Sequence, residues 1–316
     1  MFEKKREIPS PPKVRNLVIF CVLVAILLGI ALLNARLAHL QQDDSITVSD
    51  ADFQVHMIDV GQGDAVLVIA DGNAMLIDAG EPEAAGTVCA YLEAQEVGRL
   101  TYAVATHMHA DHIGGMARVL TWCGAGALLE PGFPEDLTPT NTVYERYLDA
   151  IGESGTKVRT LYAGDSFRLG SADVQVLGPV KGETPDSLNN TSLVLRVQYD
   201  DVVCLFTGDM ERSEEETLLH SGEDLRADLL KAGHHGSETS SGEDFLAAVR
   251  PEYVFISCGR DNSYGHPAES TLERLRLWTQ DIHVTAEEGH IVFLYDRDGK
   301  SCNIVTQKEA AEDVQH

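Results

Sequence analysis

Positive charge is what this chain has least of. Its 24 Lys and Arg residues face 50 Asp and Glu, which gives a formal net charge of −26. A surface of that sign opposes attachment to nucleic acid or anionic lipid through its bulk, so a phosphate-bearing substrate must meet a local positive centre. Paired cysteines are lacking too. Cys21, Cys89, Cys123, Cys204, Cys258 and Cys302 are scattered with no C-x-x-C spacing, which excludes a disulfide framework and a cysteine zinc site and leaves them as small buried hydrophobes. There is no short-period repeat and no low-complexity tract. A hydrophobic content of 44% with 23% charged residues excludes a disordered or collagen-like chain. At 316 residues the length suits one hydrolase domain of about 200 to 250 residues plus an accessory segment.

Long apolar runs are absent except at the start, where Leu17–Leu33 carries no charge over 17 residues. That is near the lower limit for a membrane-spanning helix, and Arg15 and Arg36 can extend it by snorkelling. A signal peptide fits less well, because the run exceeds a usual apolar core and Arg36 spoils the small-x-small cleavage pattern before Ala38. Lys4, Lys5, Arg6, Lys13 and Arg15 precede the run, so the positive-inside rule keeps the N-terminus cytoplasmic and puts the rest outside. The expected organisation is a basic cytoplasmic segment 1–16, an anchor 17–36, a linker 37–52, a hydrolase domain 53–306 and a polar tail 307–316.

From Phe53 the pattern is strand-like. FQVHMID, AVLVIA and AMLID are short β-rich runs separated by GQGD and DGN turn chemistry. A helix is expected over Ala84–Gln95, a strand over Tyr102–Thr106 and a second helix after Gly115. A helix near Val143–Ile151 and strands at Val158–Leu161, Val174–Leu177, Ser192–Tyr199 and Val202–Phe206 follow, then helices and strands alternate to Val305. Two halves of similar content predict face-to-face sheets with helices outside, an αββα sandwich.

The densest chemistry is Thr106-His107-Met108-His109-Ala110-Asp111-His112-Ile113-Gly114-Gly115, at a predicted strand end. In extended backbone His107 and His109 project to one side and can reach one ion, while Asp111 and His112 follow in a turn and can face a second. The stretch resembles the H-x-H-x-D-H signature of the metallo-β-lactamase superfamily. LIDAG at Leu76–Gly80, FTGD at Phe206–Asp209 and AGH at Ala232–His234 occur in the order this resemblance requires. It implies the αββα fold, Asp209 as a carboxylate bridging two metals, and His234 as a ligand of the second. DVGQGDA from Asp59, NNTSLVL from Asn189, KAGHHGS from Lys231 and NSYGHP from Asn262 are similar to the hydrolase domain of ComEC-type DNA-uptake proteins and their stand-alone relatives. The polytopic channel of those proteins is missing from this chain.

One superfamily feature is absent: between Ala110 and Thr207 the only histidine is His112. Asn190 or Ser192 could offer an oxygen in place of the missing histidine, but a neutral amide is a poor zinc ligand, which weakens the first metal's hold or favours manganese there; the cofactor expectation is two divalent ions, zinc first. Such a pair, about 3.5–4 Å apart, activates water and stabilises charge developing on a phosphoryl or carbonyl oxygen. Asp111 and Asp209 could also orient that water. His266, in a Gly-His-Pro turn, is a candidate for contact with a substrate oxygen or for leaving-group protonation, the alternative being a surface or capping histidine. His235 either binds metal in place of His234 or supports it. Asp64 and Asp78 are candidates to hold metal-bound histidines, against plain turn roles. Lys231 and Ser237 flank the His pair and could hold a phosphate, with His235 and Asn190 as further candidate substrate contacts, although a strand-end lysine is more often solvated. His56, His220, His283 and His290 read as structural or surface residues, and Trp122 and Trp278 as packing. The favoured function is phosphodiester or nucleic-acid hydrolysis at the membrane. The rivals are a small phosphoester such as phosphorylcholine, a lactone, or a noncatalytic metal-binding module. No protein partner follows from the sequence.

Overall fold

Short β-rich runs separated by tight turns pair first with their neighbours in sequence. β1 (Phe53–Met57), β2 (Val66–Ala70) and β3 (Asn73–Ile77) accordingly form an antiparallel meander. The computed structural model describes residues 51–308. The Leu17–Leu33 run lies outside them, and among the described residues no helix is long and apolar enough to cross a membrane. Helical crossovers add β4 (Leu100–Val104), β5 (Ala125–Pro131) and β6 (Val158–Leu161) in parallel to β3, while β14 (Ile291–Asp296) pairs back against β1 and β15 (Ser301–Thr306) against β14. The result is an eight-stranded sheet in the order β15-β14-β1-β2-β3-β4-β5-β6.

The second sheet repeats this plan. β7 (Ser166–Leu169), β8 (Ala172–Gly178), β9 (Val194–Tyr199) and β10 (Val202–Phe206) are antiparallel, and β11 (Leu229–Lys231), β12 (Tyr253–Ile256) and β13 (Asp281–Val284) continue in parallel. Its seven strands run β13-β12-β11-β10-β9-β8-β7.

Strand alternation decides which side chains meet. Val66, Val68 and Ala70 of β2 and Cys204 and Phe206 of β10 share one buried cluster between the sheets. Leu67 points the other way, into a layer with Val88 and Leu92 of α1 (Ala85–Ala94) and, beyond α2 (Ala110–Ile113), Val119 of α3 (Met116–Trp122) and Tyr147 of α4 (Thr142–Ser154). Leu205 likewise packs outward with Leu218 of α5 (Arg212–Ser221), Phe245 of α6 (Glu243–Val249) and Leu275 of α7 (Glu269–Leu275). The layers are therefore αββα. Cys89, Cys204 and Cys258 are buried, Cys123 and Cys302 partly so, and all five are free thiols. Trp122 and Trp278 depart from their expected packing role: at 44% and 39% exposure they sit on the surface, Trp122 as the last residue of α3 and Trp278 in the turn that follows α7.

Helix α5 buries two carboxylates along with Leu218. Glu215 accepts from the backbone N–H groups of Ser241 and Gly242, at 2.5 and 2.9 Å. Glu214 is 7% exposed and its Oε1 has no hydrogen-bond partner. Burial, with Glu183 and Asp186 nearby, pushes its pKa up to about 7 from the usual 4.5. A raised carboxyl pKa means the folded state holds the proton more tightly than the unfolded chain. The resulting penalty is absent below the unfolded pKa, grows as pH rises through the interval, and is complete above the folded pKa. Glu214→Gln should therefore leave stability near wild type at acid pH and raise it by up to about 3 kcal/mol above neutrality. Urea unfolding of both proteins on either side of that interval measures the difference, and a gap independent of pH would refute the assignment.

Candidate metal centre

The C-terminal ends of parallel strands leave backbone and side chains facing a crevice, and here both sheets present such ends to the same edge. Asp78 follows β3, His107 follows β4, Asp209 follows β10, and His234 and His235 follow β11. The loops are brought together by close backbone approaches. Gly63 has φ +127, and a Cβ there would lie 2.3 Å from the carbonyl oxygen of Asp111, so the GQGD turn needs glycine to press against the histidine loop. Asp64 N donates to that same carbonyl at 3.1 Å. Gly115 meets the carbonyl of Ala79 in the same way, where a Cβ would come within 2.2 Å.

Asp209 is the centre of the arrangement. It is 2% exposed, and its Oδ2 lies 3.2 Å from His112 Nε2, 3.4 Å from His235 Nε2, 3.8 Å from His234 Nε2 and 3.9 Å from His107 Nε2. Donor atoms of Asp111, His112, Asp209 and His235 all fall within 4.8 Å of one another, as do those of His107, His109 and Asp209. Asp209 alone belongs to both groups. His107 Nε2 and His109 Nδ1 are 2.9 Å apart, a spacing that two ligands of one ion can adopt.

The surrounding residues fix the ring orientations. His112 Nδ1 donates to Asp78 Oδ2 at 2.8 Å, while Asp78 also accepts from Thr106 N at 2.7 Å and Thr106 Oγ1 at 2.6 Å. His235 Nδ1 donates to the Ser257 carbonyl at 3.0 Å and lies 3.3 Å from Asp64 Oδ1. A carboxylate or carbonyl only accepts, so each Nδ1 carries the hydrogen and each Nε2 faces the centre. His112 Nε2, His235 Nε2 and Asp209 Oδ1 are buried without hydrogen-bond partners. Buried polar atoms are rarely left so, and the donor set is what divalent ions take.

Electrostatics agree. Burial opposes charge on Asp209, but His112 and His235 hold its carboxyl well below the usual range. Burial also opposes protonation of His112, and Asp209, Asp78 and Asp111 outweigh it, so that imidazole is held well above its ordinary value. In the same way, against its burial, Asp209 and Asp64 draw His235 toward protonation, so the carboxylates of this cluster attract cationic partners, a role that divalent ions bound to the Nε2 atoms would take over from the protons.

Several residues lie elsewhere than the sequence indicates. His235, 1% exposed, is the imidazole that joins Asp111, His112 and Asp209, whereas His234 sits at the rim with Nδ1 3.4 Å from Glu211. Both have positive φ, 48° and 55°, a conformation that turns the second ring inward. Asn190 does not face the centre as a substrate contact: Nδ2 donates to Asp186, Ser187 and Ser213, and Oδ1 accepts from Glu211 N. Ser192 is the NNTS member beside the cluster, accepting from Asp209 N at 3.0 Å and lying 3.4 Å from His107 Nδ1. Ser237 spends its hydroxyl on Thr239, 3.0 Å away. Lys231 is buried rather than solvated, paired with Asp64 and donating to the Gly208 carbonyl at 3.0 Å. The sequence signal for it was an ionisable residue ending the apolar run Leu229-Leu230. His266 lies over the mouth, its ring 5.5 Å from His234 and 6.1 Å from His235.

The sequence profile of the Metallo-beta-lactamase superfamily matches residues 58–260. Three curated relatives are similar over most of the chain. ComE operon protein 3 of Bacillus subtilis is 31% identical over 77% of this chain and 33% of its own length. Competence protein ComA of Neisseria gonorrhoeae is 33% identical over 80% and 34%. Recombination protein 2 of Haemophilus influenzae is 30% identical over 77% and 29%. The chain thus spans about a third of the relatives it matches.

The two adjacent histidines can be told apart by metal content. His235→Ala should lose about one of two bound ions per chain after dialysis against buffer, because it removes a buried donor, while His234→Ala should keep both. Elemental analysis reads the stoichiometry. The opposite pattern would make the rim histidine the ligand.

Proposed function

The chain belongs to the metallo-beta-lactamase superfamily, and from that premise we propose that it is an extracytoplasmic, membrane-anchored hydrolase of phosphodiesters working with two divalent ions. The observation that carries this reading is the buried Asp209 carboxylate shared by two donor groups. Zinc suits the imidazole-rich set, and manganese is the second candidate because no third histidine joins His107 and His109. Such ions supply Lewis acidity, lowering the pKa of a water and offsetting charge on phosphoryl oxygens. The relatives' names, competence proteins among them, favour a nucleic-acid or related phosphodiester. A small phosphoester or a lactone is the second reading, favoured by the net charge of −26. The retained H-x-H-x-D-H loop and Asp209 argue against a noncatalytic module, the missing third histidine for it.

The chain's own residues divide the remaining work. Asp111 Oδ2, 3.3 Å from His235 Nε2 and at 24% side-chain exposure the most open of the centre carboxylates, orients the attacking water; against its burial, His112 and His235 hold its carboxyl below the usual range, which keeps it an acceptor of hydrogen bonds. Asp78 and Asp64 hold His112 and His235 in orientation. Lys231 neutralises Asp64: burial disfavours its charge, yet Asp64 and Asp209 hold its pKa above the ordinary value. His266 is half-buried, and burial, with His235 and His234 beside it, depresses its pKa to about 4. It is therefore neutral at pH 7 and serves as a hydrogen-bond donor to a substrate oxygen rather than as a proton reservoir.

His266→Ala should lower kcat about tenfold, the value of one lost hydrogen bond to a charged oxygen, with metal content retained. The loss should be equal for bis-p-nitrophenyl phosphate and for a dinucleotide with an alkoxide leaving group. A loss confined to the alkoxide would restore the general-acid role. Failure of the metal-loaded chain to cleave any phosphodiester, with turnover of phosphorylcholine esters or lactones instead, would replace the substrate class. The anchor rests on Leu17–Leu33: protease added to intact cells should digest the domain, and protection would reverse the topology.

A further inference from the structure

The loop between β12 and α7 ends in the GHP turn and is tied by one side chain. Asn262 Nδ2 donates to the carbonyls of Gly259 and His266, at 2.8 and 2.6 Å, and its Oδ1 accepts from Tyr264 N and His266 N, at 3.2 and 2.9 Å. Held in this way, three rings form a nearly parallel series leading out of the metal centre. His235 and His266 lie 6.1 Å apart at 28°, and His266 and Tyr264 lie 5.6 Å apart at 20°. The inner ring is buried, while the outer one, Tyr264, is 70% exposed. Its exposure means the ring contributes little to the core, yet the loop that presents it is fixed.

We propose that Tyr264 is a stacking platform for a nucleobase adjoining the scissile phosphodiester, which makes the substrate class a single-stranded nucleotide chain or its end. This inference rests on the phosphodiesterase reading above. A planar base extends the ring series on its open side, and base–aromatic stacking tolerates any sequence because every base has a π-face. It also needs no positive charge, which suits a chain of −26 whose buried Lys231 is committed to Asp64. An aliphatic phosphoester or a lactone offers the ring nothing to stack on.

The test uses the full, metal-loaded chain in detergent and a fluorescently labelled, phosphorothioate-linked thymidine strand that resists cleavage. An abasic strand of equal length and charge is the comparison. Wild type should bind the base-bearing strand about fivefold more tightly or better. Tyr264→Ala and Tyr264→Leu, the latter keeping apolar area without a π-face, should lose that preference, and Tyr264→Trp should keep it. No preference in wild type, or preference retained in Tyr264→Leu, overturns the platform. Cleavage of bis-p-nitrophenyl phosphate by the same preparation reads the phosphodiesterase proposal separately, so that either idea can fail while the other stands.

Discussion

A carboxylate at 2% exposure must be met by cations or metal, because the desolvation cost of a buried ion is several kcal/mol. Asp209 is such a carboxylate, and the design of the centre follows from it. Its backbone N–H is fixed by Ser192, the segment before it is reached by Lys231 through the Gly208 carbonyl, and its Oδ2 is ringed by imidazole nitrogens from both halves of the chain. Breaking any one of these leaves a buried charge less compensated, which costs more than the lost contact itself. The same logic explains Lys231. A lysine is expensive to bury, but between Asp64 and Asp209 it is a local cation that does not occupy a metal position.

The sheets make this convergence possible without long-range strain. Each has an antiparallel part that anchors it and a parallel part whose strand ends carry function. Both parallel parts point to one edge, so β3 and β4 supply Asp78 and His107 while β10 and β11 supply Asp209 and His235. Chemistry is thereby separated from the packed apolar layer between the sheets.

The histidine loop was legible because its ligands are local: four donors within six residues at a strand end leave few other uses. The doublet His234-His235 was not decidable from sequence, since adjacent residues have no period to choose a face. The choice is made by positive φ at both positions, held in part by the His234 N–H bond to the Gly208 carbonyl at 3.1 Å. The buried pairing of Lys231 is not legible in sequence, because it depends on Asp64, far away along the chain. Two strands were unforeseen for a related reason. β5 reads AGALLEP and β7 reads SFRL; the first is rich in residues with weak strand preference and the second is very short, so their neighbours in the sheet decide their conformation. Asn190 shows the limit of motif reasoning: NNTS is beside the centre, but its serine faces the ligands while its second asparagine ties the Asp186 loop to α5.

Charge then constrains what can reach the centre. Two divalent ions reverse the sign only locally, and at physiological salt a charge is screened within about 8 Å. Beyond that distance a substrate meets the acidic body of the chain, whose net charge is −26. A long duplex would lay most of its phosphates in that unfavourable region, whereas a small diester or the end of a single strand places one phosphate at the ions and little charge elsewhere. Recognition outside the centre must then rely on interactions that do not require positive charge. Hydrogen bonds from a neutral His266 and contact with an exposed ring are of this kind, and both stand directly at the mouth. On the proposed phosphodiesterase reading, the acidity of the chain therefore disfavours long polyanions and leaves recognition at the mouth to uncharged contacts.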